Sequence, residues 1–218
     1  MGTCKQLRDR SLGSLKGKWG TAILSIILSV LIFYAVYVIA FLICLGISLC
    51  VGDYSVMVGA YFLCIIFAIL ILPLSYGWYY IILKIARNGE PKVEYLFEGF
   101  HDYKRITLTF LLMQVYVYLW SLLFIVPGIV KSYSYAMTGY LLIDNPSLSY
   151  DAAIHQSSLM MKGKKWKLFL LDLSFIGWIF LSVITLEIGF IFLAPYWQTA
   201  RAHFYEDLRA DKEAESFG

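Results

Sequence analysis

The stretch Leu122-Leu123-Phe124-Ile125-Val126-Pro127-Gly128-Ile129-Val130-Lys131 decides how this chain is folded. It is apolar up to Lys131 and carries Pro-Gly at its centre. Proline has no amide hydrogen for a helix, and glycine admits turn conformations, so the pair punctuates the run. If the chain reverses here, the apolar segments on either side are two antiparallel helices. If it does not, every later segment moves to the other side of whatever the helices cross.

Working outward, the flanking text has the character of a membrane protein. No Asp, Glu, Lys or Arg occurs from Gly20 to Gly52, from Tyr54 to Leu83 or from Ile106 to Val130. About 20 apolar residues cross a bilayer core as a helix, so each stretch is long enough. Across all 218 residues the chain is 60% hydrophobic and 15% charged, with mean hydropathy +0.71 and net charge +3. So few charges cannot cover so apolar a surface in water, and the near-neutral balance excludes a nucleic-acid-binding or disordered chain. Breaks at Pro127-Gly128 and at Glu187-Ile188-Gly189 divide the remainder. The fold expected is all-α: one integral membrane domain, 1–218, a polytopic bundle of six spans arranged as three helical hairpins. The spans are read at 21–46, 56–84, 105–126, 128–144, 167–186 and 189–206. Gly46 is a fraying point, and Pro73 and Pro195 are further breaks in the spans.

Charge tests this division. With both termini cytoplasmic, the inner segments 1–19, 84–105, 144–167 and 201–218 hold seventeen of the 18 basic residues. Only Lys131 falls outside, beside an outer interface that its long stem can reach, while the outer turns carry Asp53 and Glu187. This is the positive-inside pattern. Without reversal at Pro127, segment 162–167 would lie outside and the pattern would fail.

Each hairpin opens on basic and aromatic text: Lys16, Lys18 and Trp19; Lys104 and Arg105; Lys162, Lys164, Lys165, Trp166 and Lys167. Short amphipathic inner-face helices are expected upstream, at Gln6–Lys16, Lys92–Tyr103 and Ser149–Lys162. In the last, Ala152, Ile154, Leu159 and Met160 are placed to face lipid. Lysine and arginine attract anionic headgroups, and indole rings settle at headgroup level, so these residues are the expected inner-interface lipid contacts. Within the spans Asp172 lacks a partner on its own helix face. If the last hairpin turns near Ile188, Asp172 and Arg201 reach similar depth and form an intramembrane ion pair. Asp144 and Asp151 flank the Pro146 turn, where capping accounts for them. His101, His155 and His203 lie far apart, near the inner surface. Cys4, Cys44, Cys50 and Cys64 have no metal spacing, and no nucleophile elbow or phosphate-cradling loop is present. No enzyme, metal or cofactor is therefore expected.

Several strings resemble one family. They are Leu122 to Met137 around Pro127-Gly128, Asp144-Asn145-Pro146, Met160-Met161-Lys162-Gly163 with Trp166-Lys167-Leu168-Phe169, Leu173 to Trp178, and Pro195-Tyr196 with Phe204-Tyr205. Together they resemble the bacterial membrane proteins grouped as domain of unknown function 975, over nearly the whole chain. Glu187 departs from that pattern, which has glycine there. The resemblance implies a multi-pass protein of the bacterial plasma membrane and assigns no activity. The expectation for function is a non-enzymatic protein that organises or protects the membrane by binding lipid or a membrane partner at its cytoplasmic face, the partners expected being anionic lipids and a membrane protein or a second copy. The alternative is a small oligomeric transporter or channel using Asp172.

Overall fold

The computed structural model describes residues 2–51, 56–185 and 188–217. Among them every regular element is helical. The helices are α1 (Cys4–Leu15), α2 (Trp19–Val51), α3 (Val56–Leu70), α4 (Leu72–Ala86), α5 (Tyr103–Leu123), α6 (Ile125–Tyr135), α7 (Thr138–Asp144), α8 (Tyr150–Met160), α9 (Lys165–Leu173), α10 (Ile176–Ile184) and α11 (Ile188–Phe217). A 3₁₀ helix, Val93–Phe100, lies between α4 and α5. Four helical stretches are long and apolar enough to cross a membrane: Trp19–Cys50, Ile65–Ala86, Tyr103–Leu123 and Lys165–Ile184. The expected outer turn at Asp53 and the side chain of Glu187 lie outside the described residues.

Turn chemistry places the breaks a few residues from where proline and glycine mark them. The reversal between α5 and α6 is made by Phe124, which is extended at φ −158° and ψ 145°. Pro127 sits in the first turn of α6, where an amide has no helical partner and proline is tolerated, and the Gly128 amide after it donates to the Phe124 carbonyl at 3.3 Å. Ile71 interrupts the second apolar stretch, and Pro73 again falls in the first turn of the helix that follows. Gly189 lies in the first turn of α11. Pro195 is no break: α11 runs through it without interruption. A proline is tolerated within a helix that neighbouring helices enclose, and Pro195 is buried. Nor does α2 fray at Gly46, because one glycine weakens a 33-residue helix by only about 1 kcal/mol.

Glycine permits the close approach of α5 to α6 and of α10 to α11. A Cβ on Gly128 would stand 2.8 Å from Ser121 Cα, and one on Gly189 would stand 2.7 Å from Ser182 Cα. Both serines turn their hydroxyls back onto their own helix, Ser121 to the Val117 carbonyl and Ser182 to the Trp178 carbonyl, each at 2.8 Å. The same hydroxyls fill the space a side chain would need, Ser121 Oγ standing closer still to a Cβ on Gly128 and Ser182 Oγ 2.7 Å from one on Gly189, and the helices meet through small residues.

The packed core lies at the end of the bundle opposite these reversals. Tyr140, Phe175, Phe204 and Tyr205 are fully buried there, with Ile81, Ile82 and Ile85 of α4 and Leu168 and Leu171 of α9. Exposed apolar surface is concentrated elsewhere, on α2 (Phe33, Tyr34, Leu49) and around the reversals (Leu122, Phe124, Ile125, Ile184). Exposure on this scale is untenable in water and natural against hydrocarbon.

The expected amphipathic helices form as α1, the 3₁₀ helix and α8, but they are docked on protein. Ile154 and Met160 of α8 are buried, so their placement toward lipid is corrected. The reason lies in the break between α6 and α7. Buried Ser157 of α8 accepts a hydrogen bond from the Met137 amide and donates to the Ser134 carbonyl, satisfying backbone groups that the break exposes. A helix that repairs a neighbour's backbone cannot float in the headgroups.

Candidate functional site

α11 presents a row of polar side chains to the core: Trp197, Gln198, Arg201, Tyr205 and Arg209, spaced so that they follow one face of the helix. Two partly buried carboxylates meet this row.

The first is Asp172 of α9. Arg201 Nε donates to its Oδ1 at 2.9 Å, Arg201 Nη2 donates to Oδ2, and Trp197 Nε1 donates to Oδ1 at 2.6 Å. The guanidinium also lies 4.8 Å from the Trp197 ring centroid. The carboxylate is 10% exposed and the arginine 23%. The structure thus brings Asp172 and Arg201 together in the two-point geometry that a planar guanidinium offers a carboxylate. Trp197 supplies a third donor, which helix spacing alone could have shown, since it stands one turn before Arg201.

The second is Asp144, at the end of α7. Its Oδ2 accepts from Arg87 at 2.7 Å, from Tyr205 at 2.8 Å and from Arg209 at 3.2 Å. Capping is therefore not its role: three donors from α11 and the end of α4 converge on it. Arg87 also pairs with Glu206 at 2.8 Å. Partial burial alone would lower the pKa of Arg87, but its hydrogen bonds to Asp144 and Glu206 outweigh this and hold it above the usual arginine range. Between the two carboxylates, Tyr140 stacks on Tyr205 at 5.1 Å and meets Tyr79 edge-on at 5.0 Å.

More ion pairs gather at the same end. Arg10 of α1 and the Gly2 amide both bond Asp207, at 2.9 and 2.6 Å, and Lys164 pairs with Asp211 at 3.4 Å. A division of labour between the two basic residue types follows. All six arginines donate to acceptors in the protein: Arg8 to the Ser174 carbonyl, Arg105 to Asp102 and the Leu148 carbonyl, and the others as above. Among the described residues Lys164 is the only lysine in an ion pair. Lys16, Lys104, Lys162 and Lys167 are exposed, Lys18 and Lys165 partly so, and Trp166 is 67% exposed. Arginine's fork suits fixed, partly buried pairs, and lysine's compact charge stays with solvent or headgroups.

Lys131 packs against aromatic rings. Its ammonium lies 4.7 Å from the Trp120 ring centroid and within electrostatic reach of Lys165. The Tyr135 ring centroid lies 6.0 Å from the same ammonium. With the reversal at Phe124 and not at Pro127, Lys131 is two turns clear of the tip. His203 is buried with Ser14 Oγ 3.0 Å away, on a different element from His101 and His155. Among the described residues no cluster of His, Cys, Asp and Glu is arranged to hold a metal ion.

No curated protein and no solved structure matches the chain. The family described as "protein of unknown function (DUF975)" matches residues 1–134 and 124–212. These stretches take in Asp144, Asp172, the Phe124 reversal and the exposed lysines, and the chain belongs to that family.

Proposed function

We propose that this is a six-span protein of the bacterial plasma membrane, with both termini cytoplasmic, that acts without catalysis by gathering anionic lipid around its cytoplasmic end. The observation that carries the reading is the sorting of basic residues. Internal hydrogen bonds engage all six arginines, and Lys16, Lys104, Lys162 and Lys167 are left as an exposed positive collar with Trp166 among them. Each lysine near an anionic surface contributes about 1 kcal/mol of attraction.

Six crossings are supported by the contacts at one end. Asp207 holds Gly2 and Arg10, Asp144 holds Arg87 and Arg209, and Lys164 holds Asp211. Residues 2–18, 87–102, 145–164 and 207–217 therefore share an end, and three out-and-back excursions separate them. The two excursion arms that lack a long apolar helix, α6–α7 and α11, are the ones most enclosed by protein, where polar residues meet partners and not lipid. A transporter or channel is favoured only by the buried Asp172–Arg201 pair.

The test is lipid co-purification and native mass spectrometry from membranes of mixed phosphatidylglycerol and phosphatidylethanolamine. Lys16, Lys104, Lys162 and Lys167 changed together to Gln should abolish enrichment of phosphatidylglycerol. Equal lipid complements in variant and parent would overturn the reading. Proton- or solute-dependent flux in proteoliposomes, lost in Asp172→Asn, would establish the alternative in its place.

A further inference from the structure

A cavity of about 580 Å³ lies between α2, α4, α5 and α11. Most of its wall is apolar, with Phe33, Trp78 and Phe110 prominent. Val30 and Phe33 are more than half exposed, so the cavity opens on the flank of the bundle and not at either end. Two carboxamides line it, Gln114 from α5 and Gln198 from α11. Neither side-chain amide is engaged by another described residue. Among the described residues no Asp, Glu, Lys, Arg or His contributes to the wall.

Position along the helices gives the depth. Ser29, which also lines the cavity, is ten residues into α2. Gln114 is eleven residues into α5, and Gln198 is ten into α11. At 1.5 Å per residue all three stand roughly 15 Å from a helix end, half of a ~30 Å hydrocarbon core. The fourth wall is the Ile71 break, midway between Val56 and Ala86. Polar groups held at mid-depth without partners are costly, since hydrocarbon offers neither donor nor acceptor.

Resting on the membrane placement proposed above, we infer that this groove binds a neutral glycerolipid of the diacylglycerol class. Each carboxamide both donates and accepts, which matches a free hydroxyl beside ester carbonyls. The aromatic and aliphatic wall takes the acyl chains. A phospholipid is disfavoured on charge: no cation lines the groove, and drawing a phosphate to mid-depth carries a heavy desolvation penalty. An uncharged hydroxyl can be submerged. The groove and the lysine collar are thus separate lipid sites with opposite charge preference.

Trp78 lies in the groove wall and reports its occupant. The full chain is reconstituted in phosphatidylcholine vesicles, and its fluorescence is compared with that of Trp78→Phe to isolate the Trp78 signal. Brominated diacylglycerol should quench that signal at about a tenfold lower mole fraction than brominated phosphatidylcholine, the preference that two net hydrogen bonds provide. Gln114→Leu with Gln198→Leu should erase the preference, and the four-lysine variant should keep it. Equal quenching by the two lipids overturns the inference without reference to any variant. So does stronger quenching by brominated phosphatidylglycerol, or a preference that survives loss of both glutamines. Because the lysine collar is read by phosphatidylglycerol enrichment, either site can fail while the other stands.

Discussion

At the scale of single residues, the two partly buried carboxylates differ in how far sequence could reach them. Asp172 stands out as a charge in an apolar helix, and the antiparallel return of the chain puts Arg201 within its reach. Asp144 has an ordinary local explanation as a turn residue, while its three partners lie 57, 61 and 65 positions away. Nothing in a short window carries that information. For Asp172 the expected energetics are those of a buried pair: removing one member strands the other. Asp172→Asn and Arg201→Met should each destabilise the protein by about 3 kcal/mol or more, and the double variant by less than the sum. Thermal or SDS unfolding in detergent micelles measures this, and additive losses would show that the pair contributes no coupling.

At the scale of elements, apolar length was legible and exact reversal points were not. Pro127 and Gly128 mark the α5–α6 hairpin correctly to within one turn, yet the residue that reverses the chain is Phe124, whose side chain gives no turn signal. Pro195 has the same chemistry as Pro127 and lies inside a continuous helix, because enclosure by neighbours decides whether a proline breaks or is absorbed. The role of Gly128 is spacing. Gly128→Ala should destabilise by about 1–3 kcal/mol through overpacking. Adding Ser121→Gly should not restore stability, because Ser121 Cα itself would remain 2.8 Å from the new methyl. Full rescue in a detergent melt would mean that the serine hydroxyl, and not backbone approach, sets the hairpin. α8 shows the limit of pattern reading: amphipathicity reveals that a helix has an apolar face, and only the fold reveals whether lipid or protein receives it.

At the scale of the whole molecule, the contact between Gly2 and Asp207 bears on topology without any membrane being present. Two segments that touch are on one side, so the number of crossings between them is even. Native cysteines make this measurable. With Cys44 and Cys64 changed to Ser, an impermeant maleimide applied to intact cells should label Cys50 at the far end of α2 and spare Cys4. Ala214→Cys should behave as Cys4 does, reacting only when vesicles are inverted. Opposite behaviour of Cys4 and Ala214→Cys would require an odd count and would undo the six-span arrangement.

The sorting of basic residues has a consequence for handling the protein. Near 1 M ionic strength the screening length falls to about 3 Å, which silences exposed charges and leaves close, partly buried pairs largely intact. The arginine contacts to Asp144 and Asp172 belong to the second kind and the lysine collar to the first. On the proposed function, concentrated salt should therefore act as a selective wash, stripping acidic lipid from the lysines while the architecture persists.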